Sequence, residues 1–234
     1  CGMPTTARCR FAKIEQVITL VKKATQGRFF GFISKPTLML IGDNVYSNPT
    51  YAKDLFRALQ DVGVQWFAGC SLDIAFDDEA LTLARKSGCK FLLIGFESIY
   101  PLQMAKTSVH QMRSDKDYDR AIKRIKSHGI PVIGFFIAGF DNYAHIDYLR
   151  MLRFLARPMR FFFASVNVLT PFPGSPVYER FHKEGRLLKA GWGAYTLINV
   201  VYRPSRTSRY SLMFWFVVTK VTAFFMSTSG LINV

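Results

Sequence analysis

Residues 66–98, WFAGCSLDIAFDDEALTLARKSGCKFLLIGFES, contain the pattern that decides the fold class. The apolar run 64–73 predicts a buried strand, and the run 89–98 predicts a second one. Between them, residues 77–88 predict an amphipathic helix that has acidic residues in its first turn and Gly88 at its end. Two buried strands joined by a helix of this length indicate a parallel βαβ unit.

The same unit repeats on both sides of this stretch. Further strands are predicted at 37–44, 130–141 and 160–176, and further helices at 13–24, 50–63, 117–129 and 145–157. Right-handed crossovers in series give either a doubly wound sheet or a barrel. Because a helix comes before the first predicted strand, we expect an α/β fold, a partial (β/α)6 TIM-like barrel that lacks its first strand.

The predicted barrel occupies residues 1–176, and residues 177–234 form a small, mainly helical C-terminal extension. Within that extension, residues 177–188 are predicted to be helical, and residues 210–226 form a very apolar stretch. The start at Cys1 without a methionine leads us to expect a fragment of a longer protein. Whether the apolar stretch packs against the domain, lies at a membrane interface or spans a membrane is left open.

The chain has a strong excess of positive charge, with 31 Lys and Arg against 16 Asp and Glu. This excess favours anionic partners, although scattered cations also form an ordinary solvated surface, and both interpretations stay open. Arg203, Arg206 and Arg209 precede the apolar stretch, so residues 203–226 are the candidate for a peripheral membrane contact. Four cysteines and the lack of an apolar leader among the first 30 residues indicate the cytoplasm.

Carboxylates follow four of the five predicted strands. In parallel α/β folds the ligands bind at the carboxyl ends of the strands. Asp43, Asp73 and Asp141 could equally be helix N-caps, because Asp is a preferred capping residue. Glu97 is a poor N-cap and follows a long apolar run, so we predict that its carboxylate contacts a ligand.

Four long stretches carry a family resemblance: GDNVYSNPTYAKDLFRAL (42–59), residues 66–98, IKSHGIPVIGFFIAGFD (125–141) and LTPFPGSPVYERFHKEGRLL (169–188). In these stretches and their order the chain resembles the radical S-adenosylmethionine (SAM) superfamily. Within that superfamily it resembles the branch that often carries an N-terminal cobalamin-binding domain. The resemblance covers roughly residues 1–205 and implies a TIM-like radical-SAM barrel.

The resemblance also implies cofactors and the residues that bind them. The family binds a 4Fe–4S cluster through Cys-x-x-x-Cys-x-x-Cys, in which Cys1 would be the third ligand, with the other two expected three and seven residues upstream. Cys9 does not fit this spacing and is interpreted as a free thiol, and Cys70 and Cys89 are interpreted as structural. By position, the SAM methionine moiety would meet Gly42, Asp43 and Asn44, its polar groups Ser71, its ribose Glu97, and its adenine Gly139, Asp141 and Val168.

These features predict a radical-SAM enzyme core that generates a 5′-deoxyadenosyl radical, with an electron donor such as flavodoxin or ferredoxin. A cobalamin-dependent methyltransferase acting on a lipid or another hydrophobic small molecule fits best, and the chain alone is expected to be inactive. The alternative is a non-enzymatic basic α/β module that binds nucleic acid or an acidic membrane surface. Nucleic acid is disfavoured because the chain has no RNA-binding signature. Neither Gly-x-Ser-x-Gly nor Gly-x-Gly-x-x-Gly follows a strand, which argues against a hydrolase or a dehydrogenase.

Overall fold

Five parallel strands form one sheet in which each strand pairs with the next along the chain. The structure is a computed structural model and describes residues 10–25, 36–100, 115–157 and 160–228. The strands are β1 (Thr37–Leu40), β2 (Gln65–Cys70), β3 (Cys89–Glu97), β4 (Val132–Ala138) and β5 (Phe163–Val168). The strand order follows the chain without changing direction, as it does in the wall of a barrel. In a doubly wound sheet the strand order reverses at a switch point. The predicted fold class is confirmed.

Seven helices lie in the described part of the chain, and most begin where the sequence predicts. They are α1 (Ile14–Thr25), α2 (Pro49–Gln60), α3 (Asp78–Lys86), α4 (Asp115–Ser127), α5 (His145–Leu155), α6 (Pro176–Lys183) and α7 (Arg209–Thr228). The N-cap of α2 is Asn48, whose side chain accepts from the Tyr51 amide at 3.1 Å. The N-cap of α3 is Asp77, which accepts from the Ala80 amide at 2.9 Å. Asp43 and Asp73 are therefore not the caps of these helices.

The two faces of the sheet have different surroundings. Alternate residues of β2, β4 and β5 are buried, and the residues between them are only partly buried. The buried set packs beneath the helices, as Trp66 does when it stacks on Phe56 of α2 with ring centroids 5.1 Å apart. Each such aromatic or aliphatic side chain contributes roughly 1.5–3 kcal/mol to folding by its burial. We call the other side the open face of the sheet.

The buried set includes two cysteines, Cys70 and Cys89, which are free thiols. Burial raises the pKa of both, that of Cys89 to about 12, so both thiols are protonated at neutral pH. A protonated thiol under the helix layer is a packing group and a poor metal ligand. The structural interpretation of these two residues is confirmed.

The C-terminal region differs in one detail from the sequence prediction. The helix predicted at 177–188 ends at Lys183, because Gly185 has a positive φ of 64° and turns the chain. Residues 186–188 then pair with 201–203, and Leu187 bridges Tyr202. α7 packs on β5 and α5 and so joins the helix layer of the sheet. The domain boundary at residue 176 stays a prediction.

Candidate functional site

The open face changes character along the strands. Near their amino ends it is aromatic, with Phe67 and Phe91 stacked at a centroid distance of 4.6 Å. Towards the carboxyl edge the corresponding positions are glycine or polar. They are Gly69 near the end of β2, Ser71 just after it, and Gly95 and Glu97 at the end of β3. An apolar floor below a polar edge suits a ligand that is itself part apolar and part polar.

The loop after β1 crosses over the end of β2 and is held there by Asn44. The Asn44 Oδ1 atom accepts from the Ser71 amide at 2.9 Å and from the Tyr46 amide at 3.0 Å. A Cβ on Gly69 would lie 3.2 Å from the carbonyl oxygens of both Gly42 and Asp43, so glycine permits this close approach. The structure thus brings Gly42, Asp43, Asn44 and Ser71 together, as the resemblance implied.

Glu97 ends β3 in an unusual backbone conformation. Its φ is +59°, in the left-handed region that a non-glycine residue seldom adopts, and the register of β3 on β4 shifts between Gly95 and Glu97. A residue held there costs on the order of 1–3 kcal/mol and is typical of ligand sites. The bulge folds the side chain back over Gly95, where a Cβ would lie only 2.6 Å from Glu97 Oε1.

The carboxylate of Glu97 forms no hydrogen bond with any residue in the described ranges. Desolvation by burial raises its pKa above the ordinary value. Among the described residues the partly buried carboxylate thus has no hydrogen-bond donor, and a ligand that donated hydrogen bonds to it would be bound favourably.

Buried tyrosines support the residue that follows Glu97. The Ser98 hydroxyl and the Tyr143 hydroxyl are hydrogen-bonded at 2.8 Å, and the Tyr118 hydroxyl donates to the Ser98 carbonyl at 3.1 Å. The Tyr100 amide donates to Ser98 Oγ at 3.0 Å. These bonds fix the chain beyond the bulge, so the backbone of Glu97 is held in place by its neighbours and not by a contact of its own carboxylate.

Two polar residues of the open face were missed by the sequence interpretation. Ser165 and Asn167 lie on β5, beside Phe135 and Ile137 of β4, and neither side chain forms a hydrogen bond with another described residue. The signal was available in FASVNV (163–168), where small or apolar residues alternate with Ser165 and Asn167. Such alternation predicts that one face of the strand is polar.

Asp141 and Gly139 are engaged by the C-terminal region. Arg186 donates two hydrogen bonds to the Asp141 carboxylate, Arg180 donates a third at 2.8 Å, and Ser205 Oγ donates to the Asp141 carbonyl at 2.6 Å. These partners, Arg186 first, lower the pKa of Asp141. Gly139 has a φ of +101°, and its carbonyl accepts from the buried hydroxyl of Tyr202. Both residues hold the C-terminal region against the sheet.

Val168 lies on the helix side of the sheet. Its side chain is 1% exposed, and its amide donates to the Leu197 carbonyl at 2.6 Å. Its strand neighbour Asn167 faces the open side instead. Of the residues predicted to meet the adenine, the structure therefore brings none to the open face by its side chain.

Cys1 and Cys9, the candidate cluster ligand and the predicted free thiol, lie outside the described residues. Within residues 10–25, 36–100, 115–157 and 160–228, no three His, Cys, Asp or Glu side chains come together as a metal site. The assignment of Cys1 as a cluster ligand stays a prediction.

The curated proteins that resemble this chain in sequence are methyltransferases and methylases. No protein-family model matches the chain. The chain is 27% identical over 179 residues to bacteriochlorophyllide d C-12(1)-methyltransferase of Chlorobaculum tepidum, a match that covers 76% of this chain and 38% of that protein. It is 25% identical over 184 residues to hopanoid C-2 methylase of Rhodopseudomonas palustris, with 74% and 33% covered. The chain therefore spans well under half the length of these relatives.

A solved structure agrees in fold. The radical SAM methyltransferase TsrM from Kitasatospora setae, solved with cobalamin and a [4Fe–4S] cluster, superposes with a TM-score of 0.61 at 15% identity. The match covers 87% of this chain and 41% of TsrM. The fold that the resemblance implied is thus confirmed, and the chain is similar in sequence to curated methyltransferases.

Proposed function

We propose that the chain is the SAM-binding core of a radical SAM methyltransferase and that SAM lies across the carboxyl edge of the open face. The observation that carries this proposal is the partly buried Glu97 carboxylate, held by a left-handed backbone conformation at the end of β3 and without a hydrogen-bond donor among the described residues. A ribose diol offers two hydroxyl donors, and a carboxylate can accept both. Hydrogen bonds to a charged group contribute about 1.5–3 kcal/mol each, so two of them would favour binding at Glu97.

The loop held by Asn44 supplies the other end of the SAM site. The carbonyl oxygens of Gly42 and Asp43 approach the end of β2 closely, where they could accept from the ammonium group of the methionine moiety. The Ser71 hydroxyl forms no hydrogen bond with a described residue and is available to the methionine carboxylate. Asn44 takes a positioning role, because its Oδ1 atom already accepts two backbone amides.

The adenine end is assigned differently from the sequence prediction. Asn167 replaces Val168 in our proposal, since its amide is on the open face and can both donate to and accept from an adenine edge. Gly139 and Asp141 act indirectly, by holding residues 186–205 beside the ends of β4 and β5.

Cluster binding is proposed through Cys1 and two further cysteines of the natural protein. When bound, such a cluster supplies the electron that cleaves SAM. The part of this chain in the chemistry is to orient SAM through Glu97, Ser71 and the 42–44 loop and to exclude water with an apolar floor. Phe67 and Phe91 form that floor, and Met39 of β1 is a further exposed apolar residue of the open face.

We further propose a hydrophobic methyl acceptor and cobalamin as the methyl carrier. The apolar floor supports the first, together with relatives that are named for a bacteriochlorophyllide and a hopanoid. The cobalamin in TsrM supports the second. The isolated chain is expected to be inactive.

The test uses the product of the natural gene, reconstituted with iron and sulfide under anaerobic conditions. We expect iron–sulfur absorbance and, on reduction with SAM present, release of 5′-deoxyadenosine. Cys1→Ala should abolish both, whereas Cys9→Ala, the matched control, should leave both in place. Cluster formation that survives Cys1→Ala or is lost with Cys9→Ala would show that the ligand assignment is wrong.

A further inference from the structure

One side of α7 is apolar and faces outward. Tyr210, Phe214, Val217 and Val221 are 74%, 60%, 50% and 47% exposed. Their spacings of four, three and four residues place them in one stripe along the helix. We call this stripe the outer face of α7. A contiguous apolar surface of this kind usually marks a contact with another body.

The side of α7 that packs on the sheet is the less apolar one. It presents Leu212, Phe216 and Ala223 but also Thr219 and Ser227, all of them buried. The two hydroxyls donate to carbonyls of the helix itself, Thr219 to Trp215 at 2.8 Å and Ser227 to Ala223 at 2.6 Å. An ordinary surface helix has the reverse distribution, so the outer face is not explained by the packing of this domain.

The C-terminal segment that contains α7 carries only positive charges. Residues 185–234 contain no Asp or Glu, whereas the same residues contain six cations. These are Arg186, Lys189, Arg203, Arg206, Arg209 and Lys220. Arg186 is paired with Asp141, and Arg203, Arg206, Arg209 and Lys220 are exposed. An apolar stripe among cations without carboxylates is complementary to a surface that is apolar inside and anionic at its boundary.

An exposed tryptophan lies in the segment beside the start of α7. Residues 188–201 and the first turns of α7 line a cavity of about 440 Å³, to which Lys189, Arg209, Tyr210 and Met213 contribute. Trp192, in the same segment, is 76% exposed. Trp and Tyr are the residues enriched at the boundary between headgroups and acyl chains.

We propose that the outer face of α7 docks on an anionic phospholipid bilayer, with the helix axis in the plane of the membrane. α7 is long and apolar enough to span a bilayer by length and composition, but its inner side packs on β5 and α5. Because one side of α7 packs on the sheet, lipid cannot surround the helix. A position in the membrane interface is therefore compatible with the fold, whereas a membrane-spanning position is not. This proposal assigns the peripheral contact predicted at 203–226 to the outer face of α7.

The direction of α7 relates this surface to the open face. Leu212 lies against Gly139 at the carboxyl end of β4, and the Ala164 amide at the start of β5 donates to Ser227 Oγ. The helix therefore begins at the carboxyl edge of the sheet and runs back along β5. The basic end of α7 lies at this carboxyl edge, where ligands bind in parallel α/β folds. Docking of α7 on a membrane would therefore bring the carboxyl edge close to the lipid.

The test is co-sedimentation of the chain with vesicles of phosphatidylcholine containing phosphatidylglycerol, measured without cluster or SAM. We expect binding to these vesicles, weak binding to pure phosphatidylcholine, and a blue shift of Trp192 fluorescence. Phe214→Glu should weaken vesicle binding about tenfold or more, because it places a charge in the inserted stripe. Leu20→Glu is the matched control on α1, where Leu20 is 66% exposed, and it should bind like the parent.

A second pair of variants tests the charge. Arg206→Glu should weaken binding and reduce its dependence on salt, whereas Lys86→Glu, with the same change in net charge on the distant α3, should have little effect. Equal binding by Phe214→Glu and the parent would overturn the proposal. So would equal binding to neutral and anionic vesicles, or self-association through α7 that Phe214→Glu abolishes without any vesicle binding. None of these results depends on the SAM site.

Discussion

Two neighbouring strand ends have nearly the same sequence and opposite chemistry. Residues 95–97 read Gly-Phe-Glu at the end of β3, and residues 139–141 read Gly-Phe-Asp just after β4. The Glu97 carboxylate has no hydrogen-bonding partner in the described chain, and burial raises its pKa. The Asp141 carboxylate accepts from Arg180 and Arg186, and these partners lower its pKa.

The difference comes from what each glycine adjoins. The described atoms nearest to a Cβ at Gly95 belong to the flexible end of the Glu97 side chain, whereas those nearest to a Cβ at Gly139 belong to Tyr202 and Leu212. The C-terminal region thus occupies the edge at β4, whereas our proposal assigns the edge at β3 to a ligand. In that proposal the same strand-end pattern serves binding at one position and the packing of the C-terminal region at the other.

The largest expected effect comes from adding a methyl group at each glycine. Gly139→Ala should lower the free energy of unfolding by about 3 kcal/mol or more, because it combines a positive φ with a collision against buried Tyr202. Gly95→Ala should cost about 1 kcal/mol or less, since the Glu97 carboxylate can move away. Urea unfolding of both variants measures this difference, and equal losses would contradict it.

A smaller loss is expected from neutralising the paired carboxylate. Asp141→Asn removes the charge that Arg180 and Arg186 face in a partly buried position, which should cost about 2 kcal/mol of unfolding free energy. Glu97→Gln removes a desolvated charge that has no partner among the described residues, so stability at pH 7 should not fall. Chemical denaturation at neutral pH distinguishes the two, and a loss in Glu97→Gln as large as that in Asp141→Asn would refute the assignment.

The smallest expected effect is the pH dependence of these variants. The pKa of Asp141 is lowered on folding, so its contribution is present above the unfolded value of about 3.8 and is lost as the pH falls below it. The pKa of Glu97 is raised, so its ionisation costs stability above the folded value, and that cost disappears as the pH falls towards 4.5. Glu97→Gln should therefore be more stable than the parent at pH 7 and equal to it in acid. If the difference in unfolding free energy between Glu97→Gln and the parent grew as the pH fell, this prediction would be contradicted.

The alternation of strands and helices was predictable because burial imposes a period on the sequence. The residues at which the strands end were harder to predict. Strand β1 was predicted to reach residue 44 but ends at Leu40, since the following residues turn across Gly69. An apolar run does not encode the direction in which the chain leaves the sheet.

The position of Glu97 and of the 42–44 loop at the carboxyl edge could be predicted from the sequence, whereas the surroundings of Gly139, Asp141 and Val168 could not. The environment of Asp141 depends on Arg186 and Ser205, which lie more than forty residues further along the chain. No local pattern reveals such partners. Val168 was assigned by position along its strand, whereas the face of the strand decides its access, and the alternation of Ser165 and Asn167 identifies that face.

The most direct measurement is the affinity of the natural protein, carrying its reconstituted cluster, for SAM in Glu97→Gln and Asp141→Asn. Loss of hydrogen bonds to the Glu97 carboxylate should weaken binding about tenfold or more. Folded Asp141→Asn should bind within about twofold of the parent, because its carboxylate faces arginines and not the ligand. Unchanged affinity in Glu97→Gln, or equal losses in both variants, would contradict the account.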